Sequence, residues 1–295
     1  MERGFGAYHP VVNMLYFAGA IIFGMIFVHP LFLFLSLVMA VSFLLSLKGR
    51  AGIRLCLGMS GIFAAVALIN PLFNPRGATV LFTYFGGRTY TLEALLYGMA
   101  AGTMFYAVCL WFACYNEIMT SDKFLYLFGR FAPSVTLVLC MLLRYLPNLK
   151  RRADMAENAR KCIGKSADEG RVRERLEHGM SILSVLTSWS LEGAAVTADS
   201  MNSRGYGSAE RSSFTIYRRT RADWIVTALL VVCGMGITGS AFAGGMRAEY
   251  LPCLQAAESG WAFICGSICY GIFLSIPLMI HIWEEIVWHI SKSKI

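Results

Sequence analysis

The chain has 295 residues, 57% hydrophobic and only 15% charged, and its mean hydropathy is +0.57. A water-soluble domain carries about a quarter charged residues, so this composition excludes an ordinary soluble domain and describes a membrane protein. The formal net charge of +8 does not point to nucleic acid, because the basic residues fall in loops between long apolar runs.

About 20 apolar residues are needed to cross a bilayer as a helix. Six segments qualify in chain order: 11–28, 31–47, 52–72, 94–115, 223–244 and 261–283. The first two are separated only by His29-Pro30, which predicts a tight hairpin with the proline opening the second helix. Lys48, Arg50 and Arg54 crowd the next loop, so that loop is expected to be cytoplasmic. Loop 73–93 is then outside. There Asn74-Pro75-Arg76-Gly77 and Gly86-Gly87 flank a β-prone run at 78–85, which predicts a hairpin or irregular cap. The stretch 117–222 is inside; from Glu117 to Asp223 the chain holds 17 of the 26 lysines and arginines and 12 of the 18 acids. Segment 245–260 is outside, and the tail with Lys292 and Lys294 inside. Every loop fits one topology with both termini cytoplasmic.

No short apolar core with a small-residue cleavage site stands at the start, so a removable leader is not expected. Most of the nine cysteines lie in apolar stretches and are expected to be reduced packing thiols.

Within the cytoplasmic stretch, residues 131–146 are apolar except for Arg144, Pro147 follows, and a polar helical run continues to Ile163, with Gly164 as a stop. Residues 164–178 are densely charged and read as a solvated linker or surface helix. A second long helix is expected from Gly179 to Ser203, with Ile182, Leu186, Trp189 and Val196 near one face, ending at Arg204-Gly205-Tyr206-Gly207. Both helices are too polar to cross lipid and too apolar to stand alone in water. They are expected to lie against another protein under the membrane.

Two patterns invite enzymatic readings. Gly234-Met235-Gly236-Ile237-Thr238-Gly239 spells a dinucleotide fingerprint, but it lies inside an apolar span without the strand and acidic partner that fingerprint needs, so helix packing explains it. His281, Glu285 and His289 recur every four residues and share a helix face. Two imidazoles and a carboxylate can ligate a transition metal, yet beside Trp283 and Trp288 they also fit an ordinary interfacial belt. No Walker loop, zinc-protease pair or nucleophile elbow occurs, and the centres of the first five spans carry no ionisable group. A substrate path through this chain alone is therefore not expected.

Each long cytoplasmic helix ends in a small residue followed by an arginine: Ala159-Arg160-Lys161 and Ser203-Arg204-Gly205. On spacing alone these are surface cations at helix C-termini, where they offset the dipole. A wider set of residues runs in order along the chain. It comprises Tyr8-His9-Pro10, the run from Asn70-Pro71 to Arg76-Gly77, the run from Thr91-Leu92-Glu93 to Tyr97-Gly98, Leu143-Arg144-Tyr145-Leu146-Pro147, and Ala156-Glu157-Asn158-Ala159-Arg160. Ser190-Leu191-Glu192-Gly193-Ala194 then leads to Ala198-Asp199-Ser200-Met201-Asn202-Ser203-Arg204-Gly205-Tyr206-Gly207, followed by Arg211 and Asp223-Trp224. In these residues the chain resembles the transmembrane T component of energy-coupling factor (ECF) transporters, the family that includes cobalt-importer Q proteins, over most of residues 8–283.

The resemblance implies an all-α polytopic membrane protein in a bacterial or archaeal cell membrane. About six spans would carry a cytoplasmic module of two long coupling helices, with four spans in 1–116, the module in 117–222 and two spans in 223–295. It also implies a non-catalytic subunit without a cofactor. Two ABC-type ATPases would bind at Ala159, Arg160 and Lys161 and at Ser203, Arg204 and Gly205, while a small membrane substrate-binding subunit would lie on helix faces including Leu139, Leu142, Leu143, Ile182, Leu186 and Trp189. That assembly would take up a vitamin or metal ion. Lys161 departs from the family pattern, which has a small residue there. The rival expectation is a membrane enzyme or stand-alone permease with its site near His281, Glu285 and His289.

Overall fold

The computed structural model describes residues 4–73, 79–84, 88–129, 131–164, 172–208, 217–244, 248–249, 255–256 and 260–292. The chain is an all-α polytopic membrane protein. It divides into two compact units, one of Met1–Phe124 with Tyr217–Ile295 and one of Leu125–Ile216.

In the first unit a 3₁₀ turn, Gly4–Ala7, precedes α1 (Pro10–Ile26), α2 (Pro30–Lys48), α3 (Arg50–Phe73), a hairpin of β1 (Val80–Tyr84) and β2 (Arg88–Thr91), and α4 (Leu92–Ile118). After the second unit come α8 (Arg221–Phe242), the short pair β3 (Ala248–Glu249) and β4 (Gln255–Ala256), and α9 (Trp261–Lys292). Among the described residues, five helices are long and apolar enough to cross a membrane: α2, α3, α4, α8 and the stretch Trp261–Trp288 of α9. The sixth expected span is α1, apolar but only 17 residues long. At 1.5 Å per residue it rises about 26 Å, slightly short of a ~30 Å hydrocarbon layer.

Local chemistry sets the starts. His9 and His29 each accept the N–H two residues on, and Pro10 and Pro30 supply the first helical residues. Thr91 caps α4 through the Ala94 N–H. β1 and β2 pair antiparallel, with Phe82 opposite Tyr90 and Tyr84 opposite Arg88, as the sequence between Asn74-Pro75 and Gly86-Gly87 leads one to expect; those flanking residues themselves lie outside the described set.

The core is aromatic. Tyr16, Phe17, Trp111, Tyr270 and Phe273 are almost fully buried, Tyr16 stacks on Phe273 at 5.4 Å, and it meets Trp111 edge-on at 5.8 Å. The polar tips are satisfied internally: Tyr16 O–H donates to the Leu274 carbonyl and Trp111 Nε1–H to Ser36 Oγ. α3 and α4 approach closely, since a Cβ on Gly98 would lie 2.7 Å from the Ala67 carbonyl oxygen. Elsewhere the helices leave apolar surface outward: 39% of the membrane window of α4 is buried, but only 17% of that of α3. In water this exposure would be ruinous; in a bilayer the lipid covers it.

The second unit contains the end of α5 (Ser121–Gly129), α6 (Pro133–Cys162) and α7 (Val172–Ser203). α6 runs unbroken through Pro147, so the expected apolar and polar stretches are one 30-residue helix. α7 begins at Val172, so part of the expected charged linker is its first two turns.

Candidate functional site

The two helix ends that carry the sequence-singled arginines are built differently. α7 closes in a Schellman motif: Gly205 adopts φ +75, its N–H donates to the Asn202 carbonyl, and Tyr206 N–H reaches back to the Met201 carbonyl. Arg204 is therefore the last residue before a left-handed glycine. Ser203, Arg204 and Gly205 are all exposed. On α6 the left-handed glycine is Gly164, at φ +71, with its N–H on the Lys161 carbonyl. Arg160 thus lies a full turn before its stop. Ala159 and Lys161 are exposed there, and Lys161 Nζ pairs with Glu157 at 2.7 Å, one turn back on the same helix.

Arg160 is half-buried, and its Nη2 donates to His178 Nδ1 of α7 at 3.0 Å. Its Nε is buried with no hydrogen-bond partner among the described residues. Two further contacts join the helices. Tyr145 O–H donates to Ser190 Oγ at 2.7 Å, and the Arg152 guanidinium lies 5.6 Å over the Trp189 ring. The partners 145 with 190, 152 with 189 and 160 with 178 run in opposite directions, so α6 and α7 form an antiparallel hairpin.

That seam assigns faces. At 100° per residue, His178, Ile182, Leu186, Trp189 and Ser190 share one stripe of α7, and it is the stripe turned to α6. Ile182 and Leu186 are half-buried in it, and Trp189 is 36% exposed. A more exposed apolar stripe of α7 flanks that seam, roughly a third of the way round the helix: Val172, Leu176, Met180, Leu183 and Leu191, at 63–75%. On α6, Leu139 is half-buried, whereas Leu142 and Leu143 are 54% and 42% exposed beside Val135, Val138 and Leu146. α6 has no buried residue, and among the described residues of α7 there is none either. Two helices of 30 and 32 residues thus touch each other along one seam and leave long apolar stripes uncovered.

A cluster at one end of the first unit has no role assigned by spacing or composition. The Asp223 carboxylate, 4% exposed, accepts from His9 N–H at 2.9 Å, Thr220 N–H at 2.7 Å and Thr220 O–H at 2.8 Å. The Thr220 contacts form a capping box that opens α8. Lys123, 1% exposed, donates to the carbonyls of Gly6 and Ile118 at 2.8 and 3.0 Å. Gly4 N–H donates to Glu284 of α9, and Lys48 pairs with Glu117 at 2.7 Å. The N-terminal segment therefore clasps residues just before the second unit (Lys123), just after it (Asp223) and on α9 (Glu284). Burial first, then Arg219, pulls the His9 imidazole below its ordinary range, against the opposing pull of Asp223. Burial, then Glu284 and Asp223, pushes the Tyr8 phenol up. The quoted Tyr8-His9-Pro10 and Asp223-Trp224 are two sides of this clasp.

The His281 face is split. The His281 ring sits against Gly4, where a Cβ would come 2.8 Å from its Cδ2, and its Nδ1 is buried without a hydrogen-bond partner among the described residues. Glu285 is exposed, and Glu284 is the carboxylate that accepts from Gly4. The side chain of His289 lies outside the described set. Among the described residues no group of three His, Cys, Asp or Glu side chains is placed to share a metal ion. Gly236 of the apparent fingerprint lies inside α8 and faces α9, its would-be Cβ 2.8 Å from Cys269 Sγ.

No protein-family model matches the sequence, and no curated protein matches it.

Proposed function

We propose that the chain is the transmembrane coupling subunit, the T component, of an ECF-type ATP-driven importer. The observation that carries this reading is the α6–α7 hairpin. It has no buried residue among those described, exposes apolar stripes along both helices, and ends α7 in an exposed Ser203-Arg204-Gly205 held by a Schellman cap. A hairpin with so little interior of its own is a part made to be covered. The ordered run of motifs from Tyr8 to Trp224 names the coverings: two ABC-type ATPases at the arginine ends and a small membrane substrate-binding subunit along the apolar stripes.

In this reading the chain performs no chemistry. The ATPases close on ATP and reopen after hydrolysis, carrying the helix ends with them. Long uninterrupted helices transmit the displacement, and the substrate-binding subunit lying on them is tilted to release its vitamin or metal ion inside the cell. An arginine desolvated against a carboxylate in such a groove is worth about 2–5 kcal/mol by truncation. The end of the first unit that holds Lys48, Arg50, Arg54 and Arg219 faces the cytoplasm, by the positive-inside rule.

The test is co-purification in detergent of the tagged chain with ABC ATPases, comparing wild type with Arg204→Ala and with Arg160→Ala/Arg204→Ala. ATPases that co-elute with wild type and are lost from the variants support the reading. Co-elution indifferent to both arginines, or no ATPase at all, removes it.

A further inference from the structure

Resting on that reading, we propose that His178 is a latch that stores Arg160 inside the hairpin, so that the α6 end engages its ATPase only after exchanging the imidazole for the partner's carboxylate.

A guanidinium offers a carboxylate two useful forks, one from Nε and Nη2 and one from Nη1 and Nη2. Here Nε is buried, and Nη2 is committed to His178 Nδ1 at 3.0 Å. The side-on fork is closed, and the end-on fork shares its Nη2 with the imidazole. Arginine is always a donor, so Nδ1 accepts and the ring proton resides on Nε2. The contact therefore leaves Arg160 with an unsatisfied buried Nε, a poor resting place that a carboxylate able to take Nε and Nη2 together improves on.

Among the described residues the other arm has no such side-chain bond. Arg204 sits exposed at the cap of α7, adjacent to its left-handed glycine, whereas Arg160 sits a turn before Gly164 and points across the seam. The two ends are thus unequal: Arg204 is presented, and Arg160 is released. Opening the latch need not undo the hairpin, because the Tyr145–Ser190 and Arg152–Trp189 contacts lie roughly four and two turns away from Arg160 along α6.

The experiment uses the full-length chain in detergent with two readouts. Phenylglyoxal modification, resolved by peptide mass, reports the accessibility of Arg160 and Arg204 without any partner. Affinity is then measured for the ABC ATPases that co-purify with wild type. A latch predicts that Arg160 is modified several-fold more slowly than Arg204 and that His178→Ala removes the difference. It also predicts that His178→Ala tightens ATPase binding about tenfold to a hundredfold, the equivalent of one lost hydrogen bond to a charged group. His178→Glu, which pairs Arg160 more strongly, weakens it. If both variants shift binding in the same direction, or Arg160 reacts as fast as Arg204 in wild type, the latch is wrong. Loss of Arg204 dependence as well overturns the coupling reading itself.

Discussion

Asp223 is the residue whose loss should damage the first unit most for its size. Its carboxylate is the acceptor for two backbone N–H groups and one hydroxyl, at 2.7–2.9 Å, in a position 4% exposed. Asp223→Ala leaves the N–H groups of His9 and Thr220 without that acceptor, and each unsatisfied buried donor costs about 1–3 kcal/mol. The broken capping box adds about 1 kcal/mol. These terms overlap, and a total of about 3–4 kcal/mol is expected. Asp223→Asn should recover part of this, because its Oδ1 still accepts from one side while its amide presents donors to Thr220 on the other. Thermal unfolding in detergent, followed by maleimide labelling of the buried thiols Cys114 and Cys233, reads the effect directly. The expected order of stability is wild type, then Asn, then Ala. An Ala variant as stable as wild type would show that the His9–Asp223 clasp holds nothing, and the cluster would lose its structural meaning.

Three further outcomes follow from named contacts. The His9 imidazole is held below its ordinary range and accepts from Val11 N–H, so the native state favours the neutral ring. As pH falls from about 6.5 the unfolded chain takes up the proton first; stability, full above that pH, declines until the native imidazole is also charged, and His9→Asn should flatten that part of a pH series of unfolding temperatures. Lys123→Met keeps the side-chain length but removes the ammonium from the Gly6 and Ile118 carbonyls, so it should cost about 2–4 kcal/mol and speed amide exchange at the N-terminal turn; unchanged exchange there contradicts the clasp. Gly205→Ala forces a Cβ onto φ +75 and should cost about 1 kcal/mol, seen as faster exchange at the Tyr206 amide, with the core thiols as protected as in wild type.

What the sequence could reveal tracks the range of the interaction behind each feature. Spans are legible because the bilayer acts on every residue alike: α2, α3, α4 and α8 fall within a few residues of the apolar runs, and only α1, at 17 residues, is short. Caps are legible because they are local, as at Pro30, Gly164 and Gly205. The helical run through Pro147 to Ile163 is legible as well, and α6 carries that proline within one 30-residue helix. The His9–Asp223 and Lys123–Gly6 contacts join residues 214 and 117 positions apart, and no spacing rule reaches that far. Facing was the subtlest loss. Periodicity marked Ile182, Leu186 and Trp189 as one stripe, but only the bonds from Arg160, Arg152 and Tyr145 reveal that this stripe meets α6 and that Leu176, Met180 and Leu183 look outward. The same bond from Arg160 separates two arginines that the sequence treats as equals.

The most direct measurement is photo-crosslinking from the α7 cap in living cells. Tyr206 is 51% exposed and two residues beyond Arg204, so p-benzoylphenylalanine can replace it with an aromatic of similar shape. A coupling subunit should yield an adduct with an ABC ATPase that disappears with Arg204→Ala. An intact, membrane-inserted chain that gives no ATPase adduct, or one indifferent to Arg204, would contradict it.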